Sequence, residues 1–451
     1  MTVDVLLIYP YFNEELDRSI FRYPPLGLGY LASMLRTNGV SVQLLDCTFI
    51  DPQHALRIVR RSHPRIVGIY SMVTINHHAT ELAKALREET ELLVAGGPLP
   101  SLVPEEFLDM FDIVVIHEGE HTFLEVVRNH LNGASWKEVS GIAFLDDEGN
   151  CHQNQDRPFE QNLDSLPYPA RDLFPNKSYK HYWSTLYGYT VTNQITTRGC
   201  PYLCDFCSNP IFGRSYRERS ASNVVDEMRE IEGLGYDRVF FSDDCFTQNL
   251  QRVEEICDIL IHEKLNLEWM CLSRADRLDE RTAMKMARAG CKQIFFGIES
   301  GNERMLKVMN KRIILSDVEK AIRSAKHAGI ATGGFFILGY PGESDASLLD
   351  TLRFSSALPL DYLSYSFPYP IFGTGLYTKV EQRINRPEWR KQRGQASRHQ
   401  LLFSGDFSET KLRLAKYKGL AQYFLRKGGS MGAATASVVE RLTDPLVKIL
   451  R

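Results

Sequence analysis

The sequence predicts an α/β protein: a doubly wound parallel sheet, then a partial strand–helix barrel, then a small, mainly helical C-terminal region. Three observations carry that reading. Apolar runs of strand length alternate with helix-length stretches over roughly the first 165 residues, and runs without polar interruption mark strands covered on both faces. A second alternation begins near Thr192 and completes six strand–helix steps. After Gly375 the strand-like runs stop.

In the first alternation the strand-like runs are Val3–Ile8, Val40–Leu45, Ile66–Met72, Leu92–Ala95 and Ile113–Ile116. Helix-like stretches lie between them at Leu26–Thr37, Pro52–Arg61, His77–Glu89 and Pro104–Asp109. Each strand leads into a loop rich in Pro, Gly, Asn or Ser, and folds of this kind seat ligands at those carboxyl ends. From about Glu138 to Leu173, the Asp146–Asn150 turn and the Pro167–Pro169 pair predict a hairpin followed by a linker.

The second alternation offers strands at Asn193–Thr197, Arg238–Ser242, Glu268–Leu272, Gln293–Gly297, Thr332–Leu338 and Tyr362–Phe367. Its helices are Ala221–Leu234, Leu250–His262, Arg281–Ala289, Ser316–Ala328 and Ser344–Ser355. Six steps fall short of the eight of a full barrel, so a partial barrel fits better; a second open sheet is the alternative that spacing leaves standing. Beyond it, Glu409–Lys427 places Leu412, Ala415, Leu420, Tyr423 and Phe424 near one face among basic residues, an amphipathic helix. The expected divisions are 1–137 for the first sheet, 138–190 for hairpin and linker, 191–375 for the barrel and 376–451 for the basic helical region.

Bulk composition narrows the function classes. The chain has 451 residues, 43% apolar and 24% charged, the values of a folded globular protein. Its 53 Lys and Arg against 56 Asp and Glu argue against nucleic-acid binding by bulk charge. No apolar run reaches the ~18 residues of a transmembrane segment. The opening MTVDVLLIYPYF lacks the basic segment and long apolar core of a secretory signal. Nine cysteines, an odd number, predict reduced thiols and a metal site in a cytoplasmic protein. Charge is uneven: residues 376–451 hold 16 basic and 6 acidic side chains, whereas the first 375 hold 37 and 50.

The strongest local signal is Arg198-Gly199-Cys200-Pro201-Tyr202-Leu203-Cys204-Asp205-Phe206-Cys207, three thiols within eight residues directly after a predicted strand. Thiolates suit zinc or iron–sulfur clusters. Structural zinc needs a fourth ligand nearby, and His181 and Cys245 stand 19 and 38 residues from the nearest of the three cysteines. Three ligands on one loop fit a cubane with one iron left open to a substrate or cofactor. Unliganded core thiols are the plain alternative.

This Cys-x3-Cys-x2-Cys loop, with the aromatic Phe206 before its last cysteine, resembles the radical S-adenosylmethionine family, whose domain is a TIM-type partial (β/α)6 barrel. The resemblance implies that Cys200, Cys204 and Cys207 each hold one iron of a 4Fe–4S cluster. S-adenosylmethionine would chelate the fourth iron through its amino and carboxylate groups. One-electron reduction, from a reductant such as ferredoxin or flavodoxin, then yields methionine and a 5′-deoxyadenosyl radical; the hard chemistry belongs to the cofactors.

Later strand ends offer contacts for S-adenosylmethionine. Asp243 and Asp244 form an acidic pair able to accept from its ammonium group. Ser273 and Arg274 close the next strand, and the Arg274 fork suits a carboxylate. Glu299 can accept from ribose hydroxyls. Ile337 offers apolar surface for adenine, and Gly339 permits close approach. Each is a weak signal alone, and a buried Arg–Asp pair is more often structural; serial placement on one barrel rim joins them. Tyr369 and Tyr377 follow the sixth strand, where a tyrosine can position substrate or relay a hydrogen; core packing is the default.

The first sheet resembles the cobalamin-binding, Rossmann-like domain fused to many radical S-adenosylmethionine proteins. The matching residues are Tyr23-Pro24-Pro25-Leu26-Gly27, Ser71-Met72-Val73-Thr74, Gly96-Gly97-Pro98, His117-Glu118-Gly119-Glu120 and Leu166-Pro167-Tyr168-Pro169-Ala170-Arg171. The resemblance implies that Gly96, Gly97 and Pro98 let backbone amides reach the corrin edge, with His117, Glu118 and Gly119 beside it. The turn Ser71, Met72, Val73, Thr74 through Asn76 would lie beneath the ring. Glycines that merely shape turns are the plain alternative. Asp46 reads equally as a loop cap or as an acceptor for the cofactor. No Asp-x-His-x-x-Gly motif supplies a histidine to cobalt, and Leu99 stands where related chains often carry histidine.

Together these features imply a cobalamin-dependent radical S-adenosylmethionine methyltransferase acting on an unactivated carbon, with both cofactors facing one cavity. The substrate is a small molecule or a peptidyl residue, such as a glutamine of methyl-coenzyme M reductase. The basic tail reads as a solvated cover, or as a docking surface built on Lys411, Arg413, Lys416 and Lys418 for an acidic protein. The alternatives are a non-methylating cyclisation or ring rearrangement, and a non-enzymatic cobalamin or redox sensor. A methylthiotransferase is disfavoured, since the first sheet offers only Cys47 and the hairpin only Cys151.

Overall fold

The computed structural model describes residues 3–12, 22–208, 213–385 and 401–449. The chain divides into two compact units: residues through Asn193 together with Arg217–Arg219, and the remainder from Gln194 onward.

In the first unit, β1 (Val5–Tyr9), β2 (Val42–Asp46), β3 (Ile66–Tyr70), β4 (Leu92–Gly96) and β5 (Ile113–Val115) pair in parallel. The hairpin β6 (Ile142–Leu145) and β7 (Cys151–Gln153) adds to this sheet antiparallel, giving the order β2-β1-β3-β4-β5-β6-β7. Buried branched side chains such as Ile66, Val67, Val94 and Ile113 make these runs strands rather than helices. The order reverses between β1 and β3, and such a reversal opens a crevice at the carboxyl ends of the two strands.

Three features differ from expectation. The stretch Pro104–Asp109 forms only a 3-10 turn at Pro104–Glu106, and the helix precedes it at Pro98–Leu102. Pro104 disfavours helical backbone at Val103, which sits at φ −142° between the two. Glu120–Leu131 is a helix burying Phe123, Leu124, Val126 and Val127. Within the stretch expected as linker, Asn176–Tyr187 is a helix held by two aromatics one turn apart. The Tyr179 hydroxyl donates to Asp46 (2.6 Å), and Trp183 Nε1 donates to the Arg22 carbonyl (2.8 Å).

The chain passes to the second unit inside β8 (Val191–Gln194), followed by the two-residue strand β9 (Thr197–Arg198), while the two-residue strand β10 (Arg217–Glu218) belongs to the first unit. Then come β11 (Arg238–Phe241), β12 (Glu268–Ser273), β13 (Cys291–Glu299), β14 (Ala331–Ile337) and β15 (Tyr362–Ser366). The sheet order is β15-β14-β13-β12-β11-β8, with β11 to β15 parallel. Neighbours in space are neighbours in sequence, with no reversal. That is the order of a barrel section; a second doubly wound sheet would reverse. The helices Ala221–Gly233, Leu250–Glu263, Glu280–Arg288, Leu315–His327 and Asp345–Ala357 fall between these strands as expected.

The C-terminal helix Glu409–Arg426 packs on the helix Asp345–Ala357, and Gly429–Ile449 packs on both. Leu412, Ala415 and Tyr423 are buried, Leu420 is partly buried, but Phe424 is 65% exposed, outside the face expected for it. The basic side chains also depart from expectation. Lys411 is buried against Asp345 (2.6 Å), and Lys418 is buried against Asp444. Arg413 pairs with Glu409 one turn back (2.7 Å). Two of the four residues offered for docking are therefore internal. Among the described residues no helix is long and apolar enough to cross a membrane.

Candidate functional site

In the second unit the three-thiol loop is shaped from its first residues. Gly199 has φ +77°, and a Cβ there would stand 2.3 Å from the Ser215 carbonyl oxygen, so only glycine fits. Asp243 clamps the approach to the loop. Its Oδ1 accepts from the backbone N–H of Thr196 (2.6 Å) and Thr197 (3.0 Å), and its Oδ2 accepts from the Thr196 hydroxyl. Burial raises this carboxyl, against the pull of Arg252 and these hydrogen bonds. Asp243 was expected to accept from a ligand ammonium; here its oxygens are engaged by the Thr196 and Thr197 backbone and by the Thr196 hydroxyl.

Asp244 is the opposite. It is exposed to solvent although protein crowds around it, and has no hydrogen-bond partner among the described residues. Burial and the neighbouring Asp243 carboxylate push its pKa up to about 6.

Cys200 is buried, and Cys204 and Cys207 are half-buried. Burial raises the Cys204 thiol, while Lys311 and Arg274 beside it favour the thiolate. Among the described residues no three His, Cys, Asp or Glu side chains converge to hold a single ion. A cubane does not ask for that, since each thiolate binds its own iron.

Arg274 is placed differently from its expected role. Its Nε and Nη2 fork is filled by Asp276 (3.0 and 3.1 Å), and Nη2 also donates to the Lys311 carbonyl (3.0 Å). The guanidinium lies 3.6 Å above the Tyr202 ring, leaving Nη1 at 4.0 Å from Cys204 Sγ. Ser273 donates to the Arg274 carbonyl (2.9 Å) and bonds Thr247.

Glu299 sits at φ +72° beyond an irregularity in β13, and its Oε1 accepts from the buried Lys311 ammonium (3.1 Å). Oε2 carries no hydrogen bond among the described residues. Ile337 and Phe206 meet in one small apolar cluster with Tyr340, Met305 and Met309. Gly339 differs from expectation: the space a Cβ would take is filled by Leu412 of the C-terminal helix, 2.4 Å away. Its missing side chain serves helix packing, and its N–H donates to Glu343 (2.6 Å). Tyr369 is half-buried in the turn after β15, and Tyr377 packs edge-on against Phe372.

In the first unit, hydrogen bonds draw the ends of β3, β4 and β5 to one rim. Ser71 N–H donates to the Gly96 carbonyl (2.8 Å), Leu99 N–H to the Ser71 carbonyl (3.4 Å), and His117 N–H to Ser101 Oγ (2.9 Å). Ser71 Oγ donates to Asn76 (3.1 Å), Met72 sulfur faces the Tyr70 hydroxyl, and Val73 is half-buried. Thr74 is buried with its hydroxyl unpartnered among the described residues, the kind of atom that awaits a ligand or water. Gly97 lies against the Ser71 carbonyl, and Pro98 opens the short helix.

Glu118 is not free to reach a corrin edge. Arg217 binds it bidentately (2.7 and 3.0 Å), both side chains under 10% exposed, and Gly119 caps the next helix. Asp46 resolves as a cap: it accepts from Thr48 N–H (3.0 Å) and the Tyr179 hydroxyl. Lys311, Asp205 and Arg217 were missed from sequence, because nothing local marks a lone charge whose partner lies far along the chain.

A barrel section in consecutive order, with three thiols on the loop after its first strand, defines the radical S-adenosylmethionine class. The family model described as Radical SAM superfamily matches residues 195–355, and that described as B12 binding domain matches residues 18–127. An uncharacterized methyltransferase of Pyrococcus horikoshii is 32% identical over 402 residues, covering 86% of this chain and 85% of the relative. In fold, the chain is similar to the radical S-adenosylmethionine methyltransferase TsrM of Kitasatospora setae, solved with cobalamin and a [4Fe-4S] cluster. That likeness has TM-score 0.71 and 19% identity over 85% of this chain and 75% of that one. It is also similar to the cobalamin-dependent radical enzyme OxsB, with TM-score 0.75 and 18% identity over 99% and 72%. The chain belongs to the cobalamin-dependent radical S-adenosylmethionine methyltransferase family.

Proposed function

We propose that this chain transfers a methyl group to an unactivated carbon, using a 4Fe–4S cluster, S-adenosylmethionine and cobalamin. The observation that carries the reading is the pairing of the Gly199–Cys207 loop with Asp244, an unspent carboxylate at the neighbouring strand end. When bound, the cluster supplies one electron to S-adenosylmethionine and the corrinoid carries the methyl group.

The chain's own residues bind and orient. Cys200, Cys204 and Cys207 are the iron ligands, and a reductant such as ferredoxin or flavodoxin supplies electrons. Asp244 accepts from the ammonium of S-adenosylmethionine. Glu299, its Oε1 taken by Lys311, presents Oε2 to the ribose hydroxyls, and Ile337 and Phe206 give adenine its apolar wall. In the first unit, the Ser71–Asn76 turn and Gly96–Pro98 receive the corrinoid, with the Thr74 hydroxyl awaiting a partner. A peptidyl substrate draws no support from the tail, since Lys411 and Lys418 are consumed inside the fold.

Anaerobic purification with iron, sulfide and corrinoid quantified tests this, followed by incubation with S-adenosylmethionine and reductant. The expected result is a bound cluster, a bound corrinoid and 5′-deoxyadenosine by mass spectrometry. Cys204→Ala should lose cluster and cleavage together. Protein that binds corrinoid but never cleaves S-adenosylmethionine would overturn the proposal in favour of a sensor.

A further inference from the structure

Asp205 lies between Cys204 and Phe206, and four hydrogen bonds converge on it. Its N–H donates to the Met309 carbonyl (2.9 Å), and its own carbonyl accepts from Leu376 N–H (2.8 Å). Its Oδ2 accepts from the Tyr340 hydroxyl and from Lys379 Nζ, both at 2.6 Å. A Cβ at Gly375 would stand 1.8 Å from Oδ1, so the start of the helix Gly375–Val380 closes over the carboxylate. Met309 follows β13, Tyr340 follows β14, and Leu376 and Lys379 follow β15. One residue of the loop is thus tied to three successive strand ends.

The charge is balanced as well as the geometry. Three thiolates and a cluster make the loop anionic, and a bare carboxylate in its middle would add to that repulsion. Lys379 answers this charge, and its side chain is 43% exposed, so its removal does not open the core.

We propose that Asp205, held by Lys379 and Tyr340, is a positioning latch. It presets the three-thiol loop to receive the cluster, and Lys379 keeps its charge from depressing the cluster potential. This rests on the cluster assignment proposed above.

Full-length protein, reconstituted anaerobically, gives two readouts: the rate of iron loss to EDTA and the midpoint potential from an EPR-monitored titration. Lys379→Met is expected to lose iron several-fold faster and to shift the potential negative; Lys379→Arg should restore both. The double variant Asp205→Asn/Lys379→Met should recover the wild-type potential while still losing iron faster. Lys379→Met indistinguishable from wild type in either readout overturns the latch, as does a double variant whose potential stays negative. A wild-type chain that takes up no cluster overturns the cluster assignment itself, which these variant comparisons do not.

Discussion

Asp243 and Asp244 are adjacent at the end of β11, yet the fold consumes one carboxylate and leaves its neighbour without a partner among the described residues. The first fixes the backbone leading to the thiol loop. The second carries an acid whose ionisation is made costly by burial and by that same neighbour. A carboxylate kept unsatisfied at such a place is suited to a cation that arrives with the ligand.

Asp244→Asn is expected to weaken S-adenosylmethionine binding about tenfold to a hundredfold, the range of one charge-assisted hydrogen bond. It should also raise Tm of the cofactor-free protein at pH 7.5. The folded pKa of about 6 exceeds the unfolded value near 3.9, so the native state is favoured below that window and loses stability as pH rises through it. Calorimetric titration and thermal scans measure both effects. In wild type, affinity should fall as pH drops below about 6, as the acid gains its proton.

Glu343 is buried, with Oε2 on the Gly339 N–H and Oε1 unpartnered among the described residues, and burial pushes it up to about 8. The native state therefore holds a proton that the unfolded chain releases above about pH 4.5. Stability should decline between pH 4.5 and 8, by ~5 kcal/mol at most. Glu343→Gln should flatten that slope in urea unfolding followed across pH.

The pair Glu118–Arg217 is almost wholly buried, so removing one partner strands the other charge. Glu118→Gln is expected to cost about 3–5 kcal/mol in denaturant unfolding of corrinoid-free protein. A loss confined to corrinoid affinity would instead make Glu118 a ligand contact. Replacing both partners with apolar residues should recover much of the stability.

Charge reversal distinguishes an internal from a docking role in the basic tail. Lys411→Glu and Lys418→Glu should each lower Tm by several degrees, since each places like charges together in a buried site. Arg413→Glu, on an exposed helix face, should cost ~0.5 kcal/mol or less.

Much of the architecture is legible in the amino-acid sequence. The helix Leu26–Thr37 and the strands of both sheets follow from apolar spacing, to within a few residues at their ends. The miss at Pro104 came from proline sterics acting on Val103. The helix Asn176–Tyr187 was missed because its two anchors, Tyr179 and Trp183, find partners more than a hundred residues away. At the site, the three cysteines and Asp244 stand out in the sequence as candidates, whereas nothing local shows that Asp276 takes the fork of Arg274 or that Leu412 packs over Gly339.

The division has a physical cause. Backbone periodicity, turn chemistry and the spacing of three thiols are local, so the linear chain carries the element types, their order and the three-thiol loop. Which polar group is spent and which is left for a ligand depends on residues brought in from afar: Lys379 reaches Asp205 across 174 positions, and Arg217 reaches Glu118 across 99. A buried charge or amide must be satisfied by whatever the folded chain sets beside it. That competition is settled only once the strands have closed ranks, and it is what separates Asp243 from Asp244.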